Sequence, residues 1–256
     1  LLTARHAQRR RQGLRVGHSN PIADGRSMED TNVYAFAVAL TLALASPTSD
    51  GPPTVEVSAD PPRVMFSAGG HVLAASQGKP LFTVLYSDTP DIWEARSWID
   101  LPPDAVMVTR SGSRLIVEAR SFGGKPIRCR AVATPTSGEV RWDVTVRNDS
   151  GGTVVGVVGP GIRGVADIPA GRLYIPDRPG QRLSDPWRVL AAERRSIAYP
   201  VPASMQYITY AGPDRGLAVH VLDRSMTFKY LAFGGPEREL TVYQYPFIPP
   251  GATRKL

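Results

Sequence analysis

Two histidines and three aspartates are the side chains of this sequence best suited by type to proton chemistry. His6 and His18 lie in an arginine-rich leading segment, which leaves His71 and His220. An imidazole titrates near neutrality and can give or take a proton there. His71 follows Gly69-Gly70 in a turn. His220 alternates with the apolar Val219 and Val221, on the opposite face of an extended segment. No His-x-His or His-Glu-x-x-His spacing occurs, so no metal ligand set is predicted. Asp177, Asp185 and Asp223 are the carboxylates to weigh. Glycoside hydrolysis needs two of them placed across a sugar ring. Aspartates beside prolines are also ordinary turn and cap residues, and the spacing does not say that any two converge. No catalytic residue is therefore assigned.

Binding chemistry is better represented. Trp93, Trp98, Trp142 and Trp187 could stack on sugar rings. Trp142 falls on the buried phase of a strand. Trp187 closes the polar stretch Tyr174–Trp187 and is the preferred ligand platform. With Tyr207, His220 and Asp223 it makes up the predicted substrate-binding set. Gly159-Pro160-Gly161-Ile162-Arg163-Gly164 matches GxGxxG, but Pro169 and Gly171 disfavour the helix that a dinucleotide site needs. A tight connection between strands is predicted instead, and no cofactor. No Gly-x-Ser-x-Gly elbow is present. Cys129, the only cysteine, excludes an intrachain disulfide and reads as a small buried hydrophobe.

These residues sit on a pattern of short strands. In Glu139–Arg147, Val140, Trp142, Val144 and Val146 share one face, and Arg141, Asp143, Thr145 and Arg147 the other. Asn148–Gly152 then reads as a hairpin loop, leading into Thr153–Val158, which is apolar on both faces and should lie deep in a layered structure. Further strands are predicted at 54–58, 63–68, 72–76, 81–86, 105–109, 114–121, 125–133, 204–210, 216–223, 226–233 and 239–245. Turn residues separate them. One short helix is predicted over Pro186–Arg195, capped by Asp185. With 24 glycines and 24 prolines in 256 residues, turn-formers are frequent enough to favour many short strands over long helices.

The net charge of +7 is concentrated at the start. Residues 1–27 carry six arginines against Asp24, whereas the remainder holds 24 basic and 22 acidic side chains. The body therefore has no excess to steer it toward a phosphate backbone, and no nucleic-acid partner is predicted. Val33–Ala45 is an uncharged run of 13 residues ending in a small-x-small pattern. It is shorter than the ~20 residues of a membrane span. It reads as the apolar core of a signal peptide spanning 28–46, followed by a linker over 47–53. Secretion or periplasmic export is the expectation. Residues 1–27 read as an unstructured or misplaced upstream segment, since the chain begins with Leu1 rather than Met. The folded domain is expected over 54–256.

Several blocks in order carry a resemblance. They are Val157–Gly164, Gly171–Pro176, Tyr199–Tyr207, Asp214–Asp223 and the closing Tyr245–Gly251. The order resembles the N-terminal β-supersandwich of large secreted bacterial glycoside hydrolases. That domain has the galactose mutarotase-like fold, and the nearest group is an uncharacterised glycosidase-like family in which it precedes a (β/α)8 barrel. The resemblance implies an all-β, antiparallel two-layer domain with little helix. The catalytic carboxylates would belong to the barrel, a C-terminal partner absent from this chain. No equivalent of the mutarotases' His and Glu pair is present. The expected role is a non-catalytic domain that supports and walls a poly- or oligosaccharide site. The alternatives are a freestanding carbohydrate-binding module and a structural β-sandwich of a cell-surface protein.

Overall fold

The computed structural model describes residues 37–41, 53–59, 62–78, 80–89, 91, 96–101, 106–223 and 227–256. All of them belong to a unit running from Val33 to Leu256. The upstream segment 1–27, most of the expected signal peptide and nearly all of the expected linker lie outside the described residues.

The described chain is all-β and antiparallel. Strand β1 (Ala37–Thr41) falls inside the apolar run Val33–Ala45. β2 (Thr54–Ala59), β3 (Pro62–Ala68) and β4 (His71–Gln77) form a three-stranded meander. β5 (Thr83–Ser87) and β6 (Arg96–Asp100) pair with each other. β7 (Val106–Ser111), β8 (Arg114–Ala119), β9 (Ile127–Pro135) and β10 (Glu139–Asn148) run as consecutive neighbours. After β11 (Thr153–Val158) come β12 (Arg172–Ile175), β13 (Gln181–Ser184), the single turn α1 (Pro186–Val189) and β14 (Arg194–Tyr199). The chain finishes through β15 (Tyr207–Ala211), β16 (Gly216–Leu222), β17 (Lys229–Gly234), β18 (Glu239–Gln244) and β19 (Thr253–Lys255).

A ten-stranded sheet takes the order β13-β12-β15-β16-β1-β10-β9-β8-β7, with β19 also on β10. A six-stranded sheet takes the order β14-β17-β18-β11-β5-β6. The period-2 pattern explains the buried faces. Along β9, Ile127, Cys129, Ala131 and Ala133 are buried while Arg128 and Arg130 are exposed. Across the ladder Trp142 faces Ala133 and Val146 faces Cys129, so large residues of β10 stand opposite small ones of β9. Residues from all three sheets, among them Phe66, Phe82, Trp142, Leu231 and Val242, join one apolar cluster. Each such side chain contributes about 1.5–3 kcal/mol by burial.

Two expectations are corrected. β10 and β11 do not form a hairpin: β10 belongs to the ten-stranded sheet and β11 to the six-stranded one. The cause is the buried Asn148. Its amide donates to the carbonyls of Gly152 (2.8 Å) and Ile248 (2.9 Å), and its Oδ1 accepts from the Ser150 amide (3.1 Å). This bonding holds an arch that carries the chain from one sheet to the other. The doubly apolar β11 is buried from Val154 to Val158. The helix, expected over Pro186–Arg195, ends at Val189, because Arg194–Tyr199 pairs with β17 instead. Asp185 adopts φ 49° and makes no side-chain cap; its carboxylate pairs with Arg188.

Candidate functional site

The structure brings two of the four predicted binding residues together and draws the other two inward. Tyr207 and His220 are cross-strand partners on β15 and β16, with ring centroids 6.4 Å apart and planes nearly perpendicular. Both are half-buried on the outward phase of the ten-stranded sheet. Burial pushes the His220 imidazole below its ordinary value, and the Glu139 charge works against that. Asp223, one residue beyond β16, turns inward: it is 4% exposed and bonded to Lys229. Trp187 is 7% exposed and packs edge-on against Tyr210 at 4.9 Å. The polar stretch before it hid this, because the turn of α1 drops Pro186 and Trp187 onto the core. Neither Trp187 nor Asp223 faces a ligand surface.

The GxGxxG segment is a tight connection, with no helix after it. Its amides are spent on carbonyls: Gly161 donates to Leu81 (3.0 Å) and Gly164 to Glu237 (2.7 Å). Gly159 lies against Phe82 and Gly164 against the backbone of Ala75. These glycines serve close packing and leave no donor set for a phosphate. Among the described residues no group of three or more His, Cys, Asp or Glu side chains comes together, and no helix is long and apolar enough to cross a membrane.

Two surfaces have ligand-binding chemistry. The first is a cleft of about 360 Å³ beside Tyr207, bounded by Tyr174, Arg178, Arg182 and Met205. Two loops build it. The Ser204 amide and hydroxyl both donate to the Pro176 carbonyl (2.8 and 3.1 Å), and the Arg178 amide donates to Pro202 (3.2 Å). Within the turn, the Gly180 amide donates to the Asp177 carbonyl and the Gln181 amide group to the Asp177 carboxylate (2.7 Å). Asp177 is thus a turn residue.

The second surface is the outward face of the six-stranded sheet. The registers Leu85↔Trp98 and Gly156↔Leu85 place those residues in one transverse row. The Tyr245 ring lies over Gly156, and the Tyr245 amide donates to the Phe228 carbonyl, which extends the row to the residue that precedes β17. Tyr230↔Tyr243 forms the next row. Phe228, Tyr230 and Tyr245 pack against one another with centroids 5.1 to 5.8 Å apart, and Trp98 meets Tyr243 edge-on at 5.6 Å. Trp98 is 46% exposed and Phe228 41%. At the strand spacing of ~4.8 Å the longer row spans roughly 19 Å.

Polar groups edge this aromatic surface. Arg194 lies over the Tyr243 ring and donates to its hydroxyl (2.7 Å). The Tyr243 hydroxyl donates to Glu239 Oε1 (3.3 Å), whose side chain is 3% exposed. Burial pushes the Glu239 carboxyl up, opposed by Arg163 and Arg194, and pushes the Tyr243 phenol up to about 12. Of these aromatics only Trp98 stands among the candidates expected from the sequence. The signal was present: Phe228-Lys229-Tyr230 and Tyr243-Gln244-Tyr245 each put aromatics on alternate positions, hence on one face.

No protein-family model, curated protein or solved structure matches this chain.

Proposed function

We propose that this chain is a non-catalytic, carbohydrate-binding β domain of a carbohydrate-active enzyme. The observation that carries the reading is the aromatic face of the six-stranded sheet. Sugar rings present apolar C–H faces that stack on aromatic side chains, while their hydroxyls need polar partners at the edge. Trp98, Phe228, Tyr230, Tyr243 and Tyr245 supply the first, and Arg194 and the tyrosine hydroxyls the second. The same reading takes the antiparallel sheets as a galactose mutarotase-like β-supersandwich that accompanies a (β/α)8 barrel. It is supported by the ordered blocks from Val157 to Gly251. Hydrolysis would belong to the barrel's carboxylates.

The test is a titration of the full chain with neutral oligosaccharides, followed by tryptophan fluorescence and calorimetry. Binding should perturb the exposed Trp98. Trp98→Ala should weaken it about ten-fold or more, since stacking and apolar burial together contribute about 1.5–3 kcal/mol. Absence of binding across a panel of plant, fungal and bacterial glycans would refute the reading, and self-association through this face would replace it.

A further inference from the structure

We propose that the cleft beside Tyr207 is a subsite for a carboxylated sugar residue, a uronate. The inference rests on the carbohydrate reading above but uses a different surface. Tyr174 of β12 stands directly opposite Arg182 of β13, on the face that bears the cleft. On the other side Tyr174 pairs with Thr209, two residues along β15 from Tyr207, so the two tyrosines are diagonal neighbours within reach of one ligand. Arg178 enters from the turn above. The cleft therefore joins two aromatic rings to two guanidinium groups.

Among the described residues neither Arg178 nor Arg182 is held by a carboxylate. The one acidic side chain of the turn, Asp177, is engaged by Gln181. A planar guanidinium matches a carboxylate with two parallel hydrogen bonds, a geometry that a hydroxyl cannot satisfy. The turn also holds its shape: Arg178 sits at φ 54°, fixed by the bonds to Pro202 and between Gly180 and Asp177. The guanidinium of Arg178 is thus presented by a bonded turn, and that of Arg182 by a strand. A uronate stacked on Tyr174 would place its carboxylate between them.

Calorimetry of the full chain with trigalacturonate and with its neutral methyl ester tests the proposal. The acid should bind at least ten-fold more tightly than the ester, and the advantage should shrink as salt rises. In an Arg178→Gln/Arg182→Gln variant of unchanged melting temperature, the acid should fall to the affinity of the ester while the ester is unaffected. Equal affinities in the wild type, or a preference that survives in the double variant, would overturn the subsite. Trp98→Ala separates the two readings. A wild-type chain that binds no neutral sugar, with acid binding that persists in Trp98→Ala, sinks the aromatic-face reading and leaves the subsite standing. Neutral binding without acid preference does the reverse.

Discussion

Lys229 Nζ lies 2.7 Å from Asp223 Oδ2, and the two side chains are 0% and 2% exposed. Asp223 follows β16 of the ten-stranded sheet and Lys229 opens β17 of the six-stranded one, so a buried ion pair joins the two sheets. Gln206 completes it, accepting from Lys229 (3.0 Å) and donating to the Asp223 carbonyl (2.7 Å), and the Tyr199 ring lies 4.8 Å from the ammonium. Burial pushes the Lys229 amine down, and Asp223 counters it. Lys229→Met alone, or Asp223→Asn alone, should cost about 3–5 kcal/mol, because each leaves a buried charge uncompensated. The double variant Lys229→Met/Asp223→Asn should cost clearly less than the sum. Urea denaturation measures all three, and single-variant losses below about 1 kcal/mol would contradict this account.

The thiol of Cys129 is buried beside Val146, and burial alone pushes it up to about 12. A thiolate is the reactive form. A colorimetric disulfide reagent at pH 8 should therefore leave the folded chain unmodified and react with one thiol per chain in guanidinium. Rapid modification of the folded chain would show that the β9–β10 face opens.

Glu239 gives a pH dependence with a defined sign. Its folded carboxyl is held above the ordinary 4.5, so the folded state binds the proton more tightly than the unfolded chain does. The associated stability is complete below pH 4.5 and is lost as the pH rises through the raised value. Glu239→Gln should flatten the denaturation midpoint against pH just above 4.5 and leave the limb below it unchanged. An identical profile in wild type and variant would remove Glu239 from the account.

Gly159→Ala tests the packing role of the glycine-rich segment. A Cβ there would stand 2.0 Å from Phe82 Cδ1, at φ 152°. The forced shift should cost about 1–3 kcal/mol, the usual range for overpacking, read as a lower melting temperature. Titration with a dinucleotide should change nothing in either protein.

The sequence disclosed strands wherever apolar and polar residues alternate over five or more positions, as in β8, β9, β10 and β16. β6 escaped because Arg96, Ser97, Trp98 and Asp100 are all exposed, so burial imposes no alternation on it. β12 and β13 have four residues each, too short for a period to register. β14 was partly absorbed into the expected helix. The fate of Asn148 shows a different limit. A polar break between two apolar runs looks the same whether the strands pair with each other or with separate partners. The difference lies in Ile248, a carbonyl far along the chain. At the candidate site, His220 was recognisable as an outward residue, whereas Trp187 and Asp223 were drawn inward by contacts that no local pattern announces.

The place of β1 bears on how the protein acquires its shape. Val38 is the partner of both Trp142 and Val221, and β10 meets β19 further along the edge it offers to β1. The middle of the broad sheet thus joins the earliest and latest described strands. Pairs such as β9–β10, β15–β16 and β17–β18 can zip locally, but closing the centre requires partners remote in sequence, the arrangement associated with slow folding. Until β1 seats between them, a nascent chain would present the bare edges of β10 and β16, the kind of exposed ladder on which misassembly begins.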